Sequence, residues 1–123
     1  MSAPRELVKG HAAALVLSCL AREPMHGYRI ARELEQLSEG YFVMREGTLY
    51  PHLHELEKEG YIEGCWETVS GERERKVYRI TELGKRELAG RLEQWRKFQS
   101  KVDRVLGLAP ELAVSYRRIG WTT

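Results

Sequence analysis

The chain has 123 residues, of which 42% are hydrophobic and 31% are charged, and its 20 basic side chains nearly balance 18 acidic ones. This length predicts one domain, or one small domain with an accessory element. The composition excludes a disordered or collagen-like chain, and a net charge of +2 excludes a protein that coats DNA by charge alone.

The sequence predicts a soluble, cytoplasmic protein. Its first residues lack the basic region and apolar core of a signal peptide, and the apolar run from Ala12 to Leu20 is too short to cross a bilayer. Cys19 and Cys65 belong to no metal-binding or redox motif, so we expect reduced, partly buried thiols. Because no catalytic, nucleotide-binding or metal-ligand pattern is found, we expect neither an enzyme nor a cofactor nor a metal.

Three helices are predicted in the first half of the chain. The first covers about residues 7–21 and the second about residues 28–37, followed by a short β-prone piece at 41–43. The third begins near Gly47 and ends at Gly60. Its buried stripe is expected to consist of Leu49, Leu53 and Leu56.

A β-hairpin and a long helix are predicted in the second half. Strands at about 61–69 and 76–80 flank a glycine-containing turn, and Thr81 then caps a helix over residues 82–106. One face of that helix has the spacing of a coiled-coil seam, which predicts a dimer interface. The seam consists of Leu88, Leu92, Trp95, Gln99, Val102 and Leu106. Residues 107–123 form either one more short helix from Pro110 or a loose tail.

These elements predict a mainly α fold with a small β-hairpin wing, that is, a winged helix-turn-helix followed by a long C-terminal helix. In such a unit the third helix enters the DNA major groove. With its leucines inward, the outward face of that helix carries Gly47, Pro51, His54 and Lys58, flanked by Thr48 and Tyr50. The alternative is that this is a solvated helix face in an unrelated α+β domain.

The predicted tip of the wing, residues 71–76, carries three cations, Arg73, Arg75 and Lys76, that can reach DNA phosphates. The alternative is an edge strand that its charges keep soluble. Residues 40–80 hold six basic and eight acidic side chains, so a DNA-binding surface there must be a local patch.

Three sequence blocks are distinctive in residue type and spacing. They are His26-Gly27-Tyr28, the segment from Gly47-Thr48-Leu49-Tyr50-Pro51 to Gly60-Tyr61-Ile62, and the segment from Arg75-Lys76-Val77-Tyr78 to Gly84. Together they resemble the PadR family of transcriptional regulators. Gly10-His11 and Trp95 also fit, and the resemblance covers about residues 7–106.

The resemblance implies a homodimeric repressor that binds a palindromic operator, with a DNA-binding domain at 7–81 and a dimerisation helix at 82–106. Matched positions place Tyr28, Thr48, Tyr50 and Pro51 at the DNA. The resemblance also implies a small hydrophobic or aromatic effector, for which Trp95 and Phe98 are the candidate contacts. Trp95 is otherwise a plain interface anchor. The alternative function is a winged-helix protein-interaction module without specific DNA binding.

Overall fold

A computed structural model of the chain describes residues 2–69, 71 and 73–108, and of Val69 and Arg73 it describes the backbone alone. The elements are α1 (Arg5–Arg22), β1 (Met25–His26), α2 (Gly27–Leu37), α3 (Glu46–Lys58), β2 (Ile62–Val69), β3 (Arg73–Ile80) and α4 (Glu82–Leu106). The predicted mainly helical fold with a β-hairpin wing is therefore confirmed. The chain divides into two compact units, Met1–Ala89 and Gly90–Thr123, and we describe each by itself.

The sheet has three antiparallel strands in the order β1-β3-β2, one more strand than the sequence predicts. Residues 41–43 form no strand, so the prediction of a β-prone piece there is wrong. The extra strand is instead β1, where Met25 pairs with Tyr78 and His26 pairs with Val77. Two residues are too few to show an alternating pattern, and β1 is extended because β3 offers it a free edge.

The wing is longer than predicted, because β3 begins at Arg73 rather than at about Lys76. Gly71, with φ of 79°, lies in the turn between the strands. Arg75 pairs across the ladder with Glu67, and Lys76 pairs with Trp66. These two cations therefore lie within the strand, away from the wing tip where the sequence placed them.

The core of the first unit is built by α1, α2 and α3 together with the base of the wing. The almost wholly apolar middle of α1 is buried, and the predicted leucine stripe of α3 is 5% exposed or less. The most deeply buried large side chains are Val16, Leu17, Cys19, Ile30, Leu49, Leu53 and Ile62. This core fixes the angle at which α3 presents its opposite face to solvent.

The start of α4 is joined to the end of α3 by two close contacts. The Thr81 hydroxyl donates to the Gly60 carbonyl at 2.7 Å and accepts from the Gly84 N–H at 3.0 Å, so it caps α4 as predicted. A Cβ at Gly84 would collide with the Tyr61 carbonyl oxygen and approach Ile80 to 2.8 Å. Only glycine fits this crossing of helix and loop.

The second unit contains α4 from Gly90 onward. Leu92 and Val102 are half-buried, whereas Trp95 is 43% exposed and Leu106 is 63% exposed. All of them lie on the predicted seam. The predicted tail at 107–123 lies largely outside the described residues, which end at Leu108.

The two cysteines are both reduced, but their environments differ. Cys19 is buried in α1, and burial raises its pKa to about 11. Cys65 is exposed on β2, so the prediction that it is partly buried is wrong. It follows Gly64 on an edge strand, one face of which is open to solvent.

Candidate nucleic-acid interface

The outward face of α3 is solvent-exposed, as a groove-binding helix requires. All six residues that the periodicity selected are exposed, namely Gly47, Thr48, Tyr50, Pro51, His54 and Lys58, and so are Glu46 and Glu55. Pro51 lies in the second turn of α3, and the last helical residue is Lys58. The face begins with small and neutral side chains and ends with a cation.

The start of α2 lies against this face of α3. His26 caps α2, because its Nδ1 accepts a hydrogen bond from the Arg29 N–H at 3.2 Å. Gly27 follows, and a Cβ there would lie 2.7 Å from the Tyr50 hydroxyl oxygen. The Tyr50 ring therefore packs over the glycine, which ties α3 to the first turn of α2.

Tyr28 lies beside this junction and is 57% exposed. Its ring stacks on the His26 ring at 6.4 Å with an interplanar angle of 12°, and the Arg32 guanidinium lies 5.8 Å from its centroid. These contacts order the ring at the surface, where its hydroxyl can meet a phosphate.

The wing is attached to α3 through one carboxylate. Glu57 accepts from the Lys76 ammonium at 2.9 Å and from the Gly64 N–H at 3.3 Å, so it holds both wing strands. The hydrogen bond from Lys76 to Glu57 raises the pKa of Lys76. The positive charge of Lys76 is thus compensated, and its main contact is with Glu57 of α3.

Arg75, unlike Lys76, contacts the start of α2. Its Nη1 lies 3.1 Å from the Nε2 of His26, so the wing also touches the start of α2. His26, Tyr28, Tyr50, Arg75 and Lys76 surround a cavity of about 580 Å³, which we call the wing cavity. Glu46 and Trp66 also line this cavity, where they add a carboxylate and an aromatic ring.

The structure thus brings together four of the residues selected from the sequence, Tyr28, Tyr50, Arg75 and Lys76. Thr48, Pro51, His54 and Lys58 are exposed on α3 but do not line the wing cavity. The side chain of Arg73 lies outside the described part of the structure.

Three residues of this region had no role in the sequence analysis. His26 was quoted only as part of a motif, although its position directly before a helix is a capping position. Glu57 and Trp66 gave no signal, because their contacts join segments far apart in the chain. Trp66 is 67% exposed, which is unusual for an indole side chain.

The described ranges contain neither a membrane-spanning helix nor a metal-binding cluster. No helix there combines the length and the apolar composition of a membrane span. The same residues contain no group of three histidine, cysteine or acidic side chains able to hold a metal ion. His52 is half-buried and His54 is exposed on α3.

Comparison with known proteins decides the family. Residues 16–90 match the transcriptional regulator PadR-like family, a span that contains β1, α2, α3 and the whole wing. The chain belongs to the PadR-like family. This family consists of transcriptional regulators rather than enzymes.

Relatives of the PadR-like chain support the assignment along most of its length. It is 35% identical over 103 residues to a transcriptional regulator of Mycobacterium tuberculosis. The matched region covers 84% of this chain and 90% of the relative. A PadR family regulator from Eggerthella lenta is 34% identical, with a TM-score of 0.72 and coverage of 82% and 86%. A PadR-like regulator from Bacillus cereus is 28% identical, with a TM-score of 0.72 and coverage of 82% and 96%.

Proposed function

We propose that this PadR-like regulator binds double-stranded operator DNA as a homodimer and represses transcription. One observation supports the proposal. The outward face of α3 is exposed, and Tyr28, Tyr50 and Arg75 line one cavity. In this arrangement α3 enters the major groove through its small first residues, while the wing and α2 contact the backbone.

Each proposed contact has a chemical reason. Gly47, Thr48 and Pro51 let the helix approach closely, and the Thr48 hydroxyl donates to or accepts from a base edge. His54 and Lys58 extend the same face toward the flanking phosphates, and Lys58 is an exposed cation. Arg73 and Arg75 supply the wing cations, whereas Lys76 contributes chiefly by holding the wing to Glu57.

The dimer is proposed to form through α4. Its seam of Leu88, Leu92, Trp95, Gln99, Val102 and Leu106 repeats at intervals of three and four residues, and Phe98 and Val105 widen it. Phe98 is 63% exposed and Val105 is 86% exposed in the single chain. We place the DNA-binding domain at residues 7–81 and the dimerisation helix at 82–106.

We propose an effector site for a small hydrophobic or aromatic compound at the α4 seam. The ring centroids of Trp95 and Phe98 lie 6.4 Å apart with ring planes tilted by 32°, and a planar aromatic compound can stack on the exposed side of this pair. Saturable quenching of tryptophan fluorescence by such compounds, absent from Trp95→Ala, is the expected result. Quenching that persists in Trp95→Ala would place the compound elsewhere.

The test of DNA binding uses fluorescence anisotropy with two duplexes. One covers the promoter region of the protein's own gene, and the other has the same length and base composition in scrambled order. We expect tighter binding to the promoter and a steep loss of affinity with salt. Arg75→Ala should lower the salt slope by about one, because one phosphate contact is lost. Tyr50→Ala should lower affinity without changing the slope, since it removes no charge.

Arg79→Ala is the matched control. Arg79 lies on the same strand as Arg75, but Glu67 pairs with it at 2.8 Å and it does not line the wing cavity. We expect the affinity of this variant to equal that of the wild type. Weak binding that ignores both salt and sequence would instead favour a winged-helix protein-interaction module.

A further inference from the structure

His26 faces a hydrogen-bond donor on each side of its ring. Nδ1 lies 3.2 Å from the Arg29 backbone nitrogen, and Nε2 lies 3.1 Å from Nη1 of Arg75. A backbone amide and a guanidinium both donate and cannot accept. Both ring nitrogens would therefore have to be acceptors at once.

A neutral imidazole has only one acceptor nitrogen, because the other carries the proton. Burial, followed by the charges of Arg75 and Arg29, lowers the pKa of His26 and favours this neutral form. If Nδ1 caps α2, then Nε2–H points at the N–H of Arg75. If Nε2 accepts from Arg75, the cap is lost. Protonation of the ring would leave both sides with opposed donors.

The surroundings do not resolve this conflict on the Arg75 side. Among the described residues Arg75 makes no ion pair, whereas the neighbouring Lys76 is neutralised by Glu57 at 2.9 Å. The wing cavity opens beside the pair, and of the described residues that line it Glu46 is the only acidic one. Two converging donors beside an open cavity need an acceptor between them.

We propose that the Nε2–H of His26 and the guanidinium of Arg75 form a clamp that binds one phosphate oxygen of the DNA backbone. The inference rests on the proposed function and deepens it, since it assigns His26 a contact of its own. The phosphate supplies the missing acceptor, so His26 keeps its cap on α2 while Arg75 holds the wing to the same phosphate. DNA binding thereby joins the wing to the start of α2.

The central variant is His26→Asn. Asparagine is among the best capping residues, so its side-chain oxygen replaces Nδ1 while the Nε2–H donor is removed. We expect an unchanged melting temperature and a roughly tenfold loss of affinity for DNA. The loss should be equal for the promoter and the scrambled duplex, because the same phosphate contact is made whatever the base sequence. The salt slope should not change, because the neutral ring carries no charge.

The double variant His26→Asn with Arg75→Ala tests whether the two residues act as one. We expect the combined loss of affinity to be smaller than the product of the separate losses, since each variant already opens the clamp. Independent, multiplicative losses would overturn the clamp. Arg79→Ala serves again as the control with wild-type affinity.

The tautomer of His26 gives a readout that needs no DNA. Long-range proton–nitrogen correlation spectra identify which ring nitrogen carries the proton, and we expect it on Nε2. Addition of the promoter duplex should shift the Nε2–H resonance. A proton on Nδ1, or wild-type affinity in His26→Asn, overturns the clamp while leaving DNA binding intact. Failure of the wild-type protein to bind either duplex overturns the clamp together with the proposed function.

Discussion

At the scale of single residues, glycines decide where backbone elements approach most closely. Gly27 lies under the Tyr50 ring, and Gly84 lies against the Tyr61 carbonyl. The first contact ends at a side chain that can rotate away, whereas the second ends at backbone. The two glycines therefore differ in how much an added methyl group costs.

Gly84→Ala tests the tighter of these contacts. We expect it to lower the free energy of unfolding by about 2 kcal/mol, because the new methyl overpacks a site walled by backbone. Gly90→Ala is the matched control on the same helix, since nothing lies within 4 Å of a Cβ there. Removing that exposed glycine should stabilise the helix by up to about 1 kcal/mol. Urea denaturation measures both, and equal effects of the two substitutions would contradict the packing described for Gly84.

His26 also makes the stability depend on pH. Its pKa in the folded protein lies below the ordinary value of 6.5, because burial and the charges of Arg75 and Arg29 disfavour the imidazolium. Below pH 6.5 the unfolded chain binds more protons at this residue, so the free energy of unfolding falls as the pH is lowered. Above pH 6.5 both states are neutral and the contribution is constant.

The measurement for His26 is the difference between wild type and His26→Asn in urea denaturation from pH 8 to pH 5. Taking this difference removes the contributions of all other titratable groups. We expect the wild type to lose more stability than the variant as the pH falls below 6.5. A variant that loses as much as the wild type would show that His26 is not held neutral in the fold.

At the scale of elements, local sequence patterns predicted the structure correctly wherever a residue's neighbours in sequence determine its conformation. The leucine period of α3 predicted its buried and exposed faces, and the bounds predicted for α4 are those observed. The strand β1 could not be predicted in this way, because Met25 and His26 are extended only through pairing with β3. Local signals carry no information about such a partner.

In the candidate interface, too, local features could be predicted from the sequence, whereas contacts between distant segments could not. The exposed side chains of α3 follow from helical geometry, so the sequence identified them. The hydrogen bond from Lys76 to Glu57 and the close approach of Arg75 to His26 connect residues 19 and 49 positions apart. These contacts assign Lys76 to the wing's attachment and Arg75 to the cavity, a difference that a list of wing cations could not show.

The α4 seam has its own prediction. Leu92→Asp places a charge in the proposed dimer interface, and we expect sedimentation to shift toward the monomer while DNA affinity falls, because two half-sites are no longer bound together. Gln94→Asp introduces the same side chain on an exposed position off the seam and should remain dimeric. A Leu92→Asp variant that stays dimeric would show that the seam is misassigned.

At the scale of the whole molecule, charge is distributed unevenly behind a net value of +2. Residues 85–104 carry seven basic and three acidic side chains, whereas residues 40–80 carry six and eight. For the proposed DNA-binding homodimer, a mildly acidic winged segment predicts weak non-specific binding, so its affinity would come from positioned contacts and from two subunits acting together. The size of the chain fits this account, since a short chain gains further burial by pairing.

Hydroxyl-radical footprinting of the promoter duplex tests the central claim most directly, because it reports DNA contact and subunit symmetry together. A dimer that presents two α3 helices predicts two protected segments related by two-fold symmetry. Their centres should lie about 10 base pairs, or an integral multiple of that distance, apart. A single protected segment, or no protection at concentrations where the protein binds the duplex, would contradict a homodimer that reads paired half-sites.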